Sequence, residues 1–229
     1  MFKWYFSKFI LDSIDKVPKT KPVRRFLINK FPRVFFLPHM KSSEFQLFRK
    51  VVKPVRNIVE FGSGGSTFFL LNNNKSVYSV ESNPQFFQYM NSLSLIRHHL
   101  NKNLFYNYVD IGPTSTWGRP TEEDKKESWS DYYLKVWNLI KPQDKIDVIF
   151  IDGRFRVLCT LKAIETIKTN KWDSKIVIHD FWNRPEYHSV LQYLDETERS
   201  KTLGVFTVKD QVDLYALGEA MKENKYNYN

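Results

Sequence analysis

Three features of the sequence predict an α/β protein built on a doubly wound, mostly parallel sheet. Short apolar runs alternate with amphipathic segments from residue 57 onward, a glycine-rich turn follows the first run, and an acid ends the second. The runs are Ile58–Phe61, Val77–Val80, Leu104–Val109, Val148–Ile151 and Ile176–Ile178. Each is brief and β-branched or aromatic, the pattern of parallel strands buried on both faces. Leu203–Val208 and Asp213–Leu217 flank a polar turn and read as a C-terminal antiparallel β-hairpin, which brings the sheet to seven strands.

Helices fill the intervals. Ser43 reads as an N-cap with Gln46 at the capping-box position, opening a helix to about Val52 that Pro54 stops. Asn83 caps a second, with Pro84 in its first turn and Phe86, Phe87, Met90 and Leu93 along it. Further helices are predicted over 130–140, 156–169 and 185–196. Trp129, Tyr132, Tyr133 and Trp137 follow a spacing that means packing, and Cys159 sits among Val157, Leu158 and Leu161 as a small buried hydrophobe.

Charge divides the chain. Residues 1–56 hold 14 Lys/Arg and 3 Asp/Glu, net +11, against +10 for all 229 residues, so the remainder is near neutral. The domain reading is therefore a basic helical extension over 1–54, a catalytic domain over 55–217 and a polar, frayed tail over 218–229. Within the extension, Phe2, Tyr5, Phe6, Phe9, Ile10 and Ile14 share one helical face, and Lys19, Lys21, Arg24, Arg25, Lys30 and Arg33 follow. This pattern suits an anionic membrane surface or a protein partner through residues 1–40, or packing onto the domain itself. A cytoplasmic protein, peripheral at the inner membrane face, fits it. No stretch is long and apolar enough to span a bilayer. With the basic charge off the central domain, nucleic acid is disfavoured, and one cysteine excludes a disulfide framework or a Cys-rich zinc site.

The chemistry is concentrated at strand ends. Glu60-Phe61-Gly62-Ser63-Gly64-Gly65-Ser66-Thr67 places an acid and alternate glycines where a strand turns into a helix, so a ligand can lie against the backbone there. Glu81 ends the second strand, where a carboxylate can accept hydrogen bonds from a ribose diol. The turn lacks the third glycine of a dinucleotide fingerprint, and no Gly-Lys-Ser/Thr marks a P-loop.

With these residues the chain resembles the class I S-adenosylmethionine-dependent methyltransferases, over about residues 55–217. Their acid-x-Gly-x-Gly run matches Glu60 to Gly64, their ribose acid matches Glu81, and their acids after the third and fourth strands match Asp110 and Asp152. Ser66 stands where a third small residue is usual. More loosely, Val59–Ser66 with Ile151–Arg156 is similar to methyltransferase-like proteins of bacterial surface-glycan clusters. The resemblance implies a Rossmann-like fold with S-adenosylmethionine as cofactor. It gives Glu60 the motif loop and the methionine amino group, Gly62, Ser63 and Gly64 the close approach, Glu81 the ribose and Asp110 the adenine. Asn83 is a second cofactor contact or simply an N-cap.

Methyl transfer from a sulfonium needs positioning and, for a hydroxyl acceptor, a base. His179, Asp180 and Asp152 stand at the two strand ends where such a base belongs. Asp152 and Asp180 are also two oxygen ligands for a divalent metal, without a clear third. Arg154, Arg156 and Arg184 can grip an anionic acceptor or pair with Asp152, Asp180 and Glu186. The loop 111–120 reads as a lid with Trp117 as a stacking surface. The leading expectation is thus O-methylation of a small molecule or glycan. The alternatives are an RNA-modifying enzyme using the basic arm, and a non-catalytic membrane-surface protein on the same scaffold. Asp-Gly-Arg after the fourth strand, in place of Asp/Asn-Pro-Pro-Tyr/Phe, speaks against methylation of exocyclic base amines.

Overall fold

The computed structural model describes residues 7, 8, 10, 11, 13, 21–31, 34 and 36–228. Its sheet has seven strands in the order β3-β2-β1-β4-β5-β7-β6. The first five are parallel: β1 Asn57–Phe61, β2 Ser76–Glu81, β3 Leu104–Tyr108, β4 Val148–Ile151 and β5 Lys175–Ile178. β6 Leu194–Ser200 and β7 Leu203–Val208 form the antiparallel pair, with β7 inserted against β5. Parallel strands need crossovers, and the helices that make them cover both faces. One core gathers Val59, Phe61, Tyr78, Ile149, Ile151, Phe155 and Leu158 on one face, and the other gathers Phe48, Ile58, Phe68, Val77, Phe150 and Val177.

Among the described residues the α-helices include α1 Lys21–Lys30, α2 Ser42–Val52, α3 Gly65–Asn72, α4 Pro84–Ser92, α5 Ser94–His99, α6 Ser130–Leu134, α7 Arg156–Asn170 and α8 Leu214–Glu223. Asn83 caps α4 as expected, its Oδ1 accepting from the Phe86 amide at 2.8 Å. α2 starts earlier than expected: its cap is Lys41, whose amide donates to Glu44 Oε2 at 2.7 Å, and not the Ser43–Gln46 pair. The stretch 130–140 is α6 followed by a 3-10 turn over Lys135–Leu139.

Two expectations near the C-terminus are corrected. The closing pair is β6–β7, not 203–208 with 213–217, and Leu214–Glu223 is a helix capped by Asp213. Leu-Asp-Glu-Thr-Glu-Arg-Ser does not read as a strand because β6 is a sheet edge exposed along most of its length, and charge there discourages pairing with another chain. The interval 185–196 is therefore a 3-10 helix over Pro185–Tyr193 that runs into this strand. Nor is the tail frayed: Tyr226 and Tyr228 pack edge-on against Trp129.

At the other end, α2, which lies within the extension 1–54 read from the sequence, packs into the core. Phe45, Leu47, Phe48, Val51 and Val52 are buried, and the Phe48 ring lies 4.6 Å from that of Phe150 on β4. Ahead of it, the segment 36–40 runs over the glycine turn. A Cβ on Gly65 would overlap the Leu37 carbonyl and Pro38, so glycine is needed for this close approach. Lys8 Nζ reaches the Met40 carbonyl at 2.9 Å. Phe2, Tyr5, Phe6, Phe9 and Ile14, the apolar face expected near the N-terminus, lie outside the described residues. Val23, Phe26, Phe31 and Val34 are exposed. No helix among the described residues is long and apolar enough to cross a membrane.

The contact at Gly65 yields a matched pair of substitutions. Gly65→Ala should cost about 1–3 kcal/mol through the forced shift of residues 37 and 38. Gly64→Ala, where a Cβ meets nothing within 4 Å, should change stability by less than about 1 kcal/mol. Urea unfolding of both variants checks this, and equal losses would contradict the packing described.

Candidate active site at the carboxyl edge of the sheet

All five parallel strands end at one edge, where ligands bind in open α/β sheets. The first side chain there is Glu60, fully buried on β1. Its carboxylate accepts from Ser66 Oγ and Thr67 Oγ1 at 2.6 Å each and from Ser79 Oγ at 2.8 Å. Thr67 Oγ1 also accepts from the Gly64 amide at 2.9 Å. These bonds hold the first turn of α3 to the strand, so Glu60 fixes the glycine loop as expected. Ser66 serves that loop from a buried position. Burial pushes the Glu60 carboxyl up to about 7 despite the three hydroxyl donors.

Gly62 adopts φ +90°, and a Cβ there would stand 2.7 Å from Gly153 Cα, so its glycine lets the ends of β1 and β4 meet back to back. Gly64 faces open space. Beside it Ser63 Oγ donates to Glu81 Oε2 at 2.9 Å and lies 2.6 Å from the Tyr106 hydroxyl, joining the tips of β1, β2 and β3. Glu81 Oε1 accepts the amides of Ser82 and Asn83, both at 2.8 Å. With the Ser63 amide also directed at it, this carboxylate is held by four donors and is not the free group that a ribose diol would meet undisturbed. Burial raises its pKa.

Asp110 turns to the following loop. It pairs with Lys125 and accepts from the Gly112 amide at 3.0 Å, and the lysine holds its pKa down. That loop folds back over the end of β2: Asn83 Nδ2 donates to Thr114 Oγ1 at 3.2 Å. It presents Trp117 to solvent, 74% exposed, with φ +65°. The Trp117 ring lies 5.3 Å from that of His39. Phe155 (φ +54°) and Asp180 (φ +53°) are two more left-handed residues at this edge, a conformation that costs energy and concentrates at functional sites.

The ends of β4 and β5 form one charged network. His179 is only 5% exposed. Its Nδ1 lies 2.9 Å from Asp152 Oδ1 and 3.8 Å from Asp180 Oδ2, while its Nε2 faces Glu44 Oε2 at 3.7 Å. Burial lowers the His179 pKa, but the charge of Asp152 and the bond to it outweigh burial, and the net shift is upward. Asp152 is moved the other way: burial raises it, and His179 and Arg156 hold it below the usual carboxylate value. Glu44 is sealed at 1% exposure; its hydrogen bonds from Thr202 and Lys41 overcome burial and keep its pKa low.

The three arginines differ. Arg156 is buried, with donors to the carbonyls of Gly153, Asp152 and His179 and to Asp152 Oδ1, so it ties the strand ends together and is not free to grip an acceptor. Arg184 is exposed beside Glu186 at 3.7 Å. Arg154, two residues before Arg156, is half-buried. Asp152, His179 and Asp180 offer ligand atoms within 4.8 Å of one another. Two of those atoms are already hydrogen-bonded to each other, and the Arg156 guanidinium sits 3.2 Å from Asp152, so a divalent cation would have to break that hydrogen bond and compete with the guanidinium.

Sequence reasoning missed His39, Glu44, Tyr106 and Thr202. Glu44 carried one signal, as one of 3 acids among 14 basic residues in 1–56. The others carried none, since their neighbours in the site are distant in the chain.

Among solved structures, the chain aligns with a methyltransferase-like protein of Silicibacter pomeroyi over 85% of this chain and 98% of that one, at 28% identity and a TM-score of 0.69. An O-methyltransferase of Bacillus cereus in complex with SAH aligns over 90% and 98%, at 16% identity and a TM-score of 0.48. No family model matches the chain, and no curated protein does.

The Glu60 environment sets a pH dependence. Its carboxyl titrates near 7 when folded against 4.5 for an ordinary glutamate, so the folded chain holds this proton across that interval. The stability it contributes is complete below the lower value and lost as pH rises through the upper one. Between about pH 4.5 and pH 8, wild type should lose roughly 1–3 kcal/mol more than Glu60→Gln in urea unfolding. Identical pH slopes would contradict the assignment.

Proposed function

We propose that this chain, which has the fold of the class I methyltransferases, transfers a methyl group from S-adenosylmethionine to an oxygen of a small-molecule or glycan acceptor. The observation that carries this reading is the joined tip of β1 and β2. Ser63 bonds Glu81 there, and Gly64 leaves open space beside them. That cradle suits an adenosine-type ligand: the ribose meets Glu81, and the ligand backbone lies against Gly64. The bound cofactor supplies a sulfonium methyl group that an oxygen nucleophile attacks in line.

The chain's own residues divide the remaining work. His179 is enclosed, with both ring nitrogens facing carboxylates, so it orients Asp152 in place of meeting the acceptor. Asp152 is the partly exposed member of the pair, held by His179 and Arg156 through one oxygen. Its other oxygen is the group proposed to accept the proton of the acceptor hydroxyl. A carboxylate kept at a low pKa is a weak base, but a positively charged leaving group reduces how much proton transfer the step requires. Trp117 and His39 supply a ring surface at the mouth.

Calorimetry with S-adenosylhomocysteine tests the reading. Wild type should bind one equivalent, and Glu81→Ala should weaken that binding by about tenfold or more. No binding by wild type would overturn the proposal. With labelled S-adenosylmethionine and a panel of glycan hydroxyls, Asp152→Asn should lower turnover by about a hundredfold or more while leaving cofactor affinity within about threefold. Full turnover by that variant would remove Asp152 as the base.

A further inference from the structure

The arginines at the ends of β4 and β5 are separated by what satisfies them. Arg156 spends its donors on three carbonyls and Asp152 and lies 4.0 Å from Asp180. Arg184 has Glu186. Arg154 has neither kind of partner: its Nε is buried without a hydrogen bond, and among the described residues no carboxylate lies within ion-pair distance of it. Its surroundings make this more costly. Burial, then the like charges of Arg156 and Arg184, push its pKa down. A guanidinium withdrawn from water without a counter-ion is unfavourable, and removing one partner of a buried pair is the expensive case. Its planar fork of donors matches a carboxylate or a phosphate in a way a lysine does not.

Place supplies the rest. Arg154 is two residues from Asp152, on the loop that leaves β4, and its amide points to the Tyr132 hydroxyl at 3.4 Å. The backbone is therefore anchored while the side chain's donors remain open. We infer that Arg154, with Arg184 at its entrance, binds an oxyanionic group carried by the methyl acceptor, so that the substrate is an anionic small molecule or an anionic glycan. This rests on the methyl-transfer reading for the word acceptor; the anion site itself rests on the arginines alone.

The test titrates the full-length protein, with S-adenosylhomocysteine present, against inorganic phosphate and separately against D-glucuronate. Wild type should bind one equivalent of at least one probe in the millimolar range, and the tighter arm identifies a phosphate or a carboxylate as the group recognised. Arg154→Gln should weaken that binding by about tenfold or more, and Arg184→Ala by about two- to fivefold. Arg154→Lys keeps the charge and loses the fork; it should weaken binding about three- to tenfold and answers the question if Arg154→Gln does not fold. Binding unchanged in both Arg154 variants, or no binding of either probe by wild type, would overturn the anion site. Anion binding intact without any binding of S-adenosylhomocysteine would overturn the link to a methyl acceptor and the methyl-transfer reading with it.

Discussion

Three glutamates are withdrawn from water at one edge of the sheet and an aspartate is partly so, and each has to be met by donors from other elements. Glu60 takes hydroxyls from α3 and β2. Glu81 takes two amides that follow β2 and the Ser63 hydroxyl from the glycine turn. Glu44 takes the Thr202 amide and hydroxyl from the turn between β6 and β7. Asp152 takes His179 and Arg156. A bare carboxylate in that setting costs several kcal/mol. The strand ends, the glycine turn and α2 are therefore fixed relative to one another by the same requirement that equips the edge for chemistry.

This places the segment 36–44 within the site and not outside it. Leu37 and Pro38 lie on the glycine turn, His39 faces Trp117, and Glu44 closes off His179 from the side opposite Asp152. The basic charge of residues 1–56 is thus a separate matter from the last third of that segment, which the core has absorbed through Phe45, Phe48 and Val52. An edge assembled in this way has little freedom on the β4–β5 side, where nearly every donor is committed. Its open parts are the space over Gly64, the free oxygen of Asp152 and the donors of Arg154.

How much of this could be read in advance follows from how local each signal is. Four of the five parallel strands were legible because burial on both faces makes each a short apolar run; β3, a half-buried edge strand, was legible from its aromatic residues. Glu60, Gly62, Gly64 and Glu81 were legible because turn and acid are fixed in sequence by the β–α–β unit. β6 was not, since an exposed edge strand carries charges where a buried one carries valines. The helix Leu214–Glu223 was not, since its start, Leu214-Tyr215-Ala216-Leu217, is a short apolar run that passes for a strand. Glu44, His39 and Thr202 reach the site only through tertiary contacts. The sequence also offered three equivalent arginines; only burial and partners distinguish Arg156, which holds the edge together, from Arg154, which has donors to spare.

The glycine turn, the tip of β2 and the segment 36–44 should respond to a bound cofactor as one unit. Amide hydrogen exchange on the full chain, with and without S-adenosylhomocysteine, tests it most directly. The account predicts slowed exchange together in 60–67, 81–84 and 36–44, with the outer strand β6 unchanged. Protection of the glycine turn with no change in 36–44, or protection confined to surfaces away from the carboxyl edge, would contradict it.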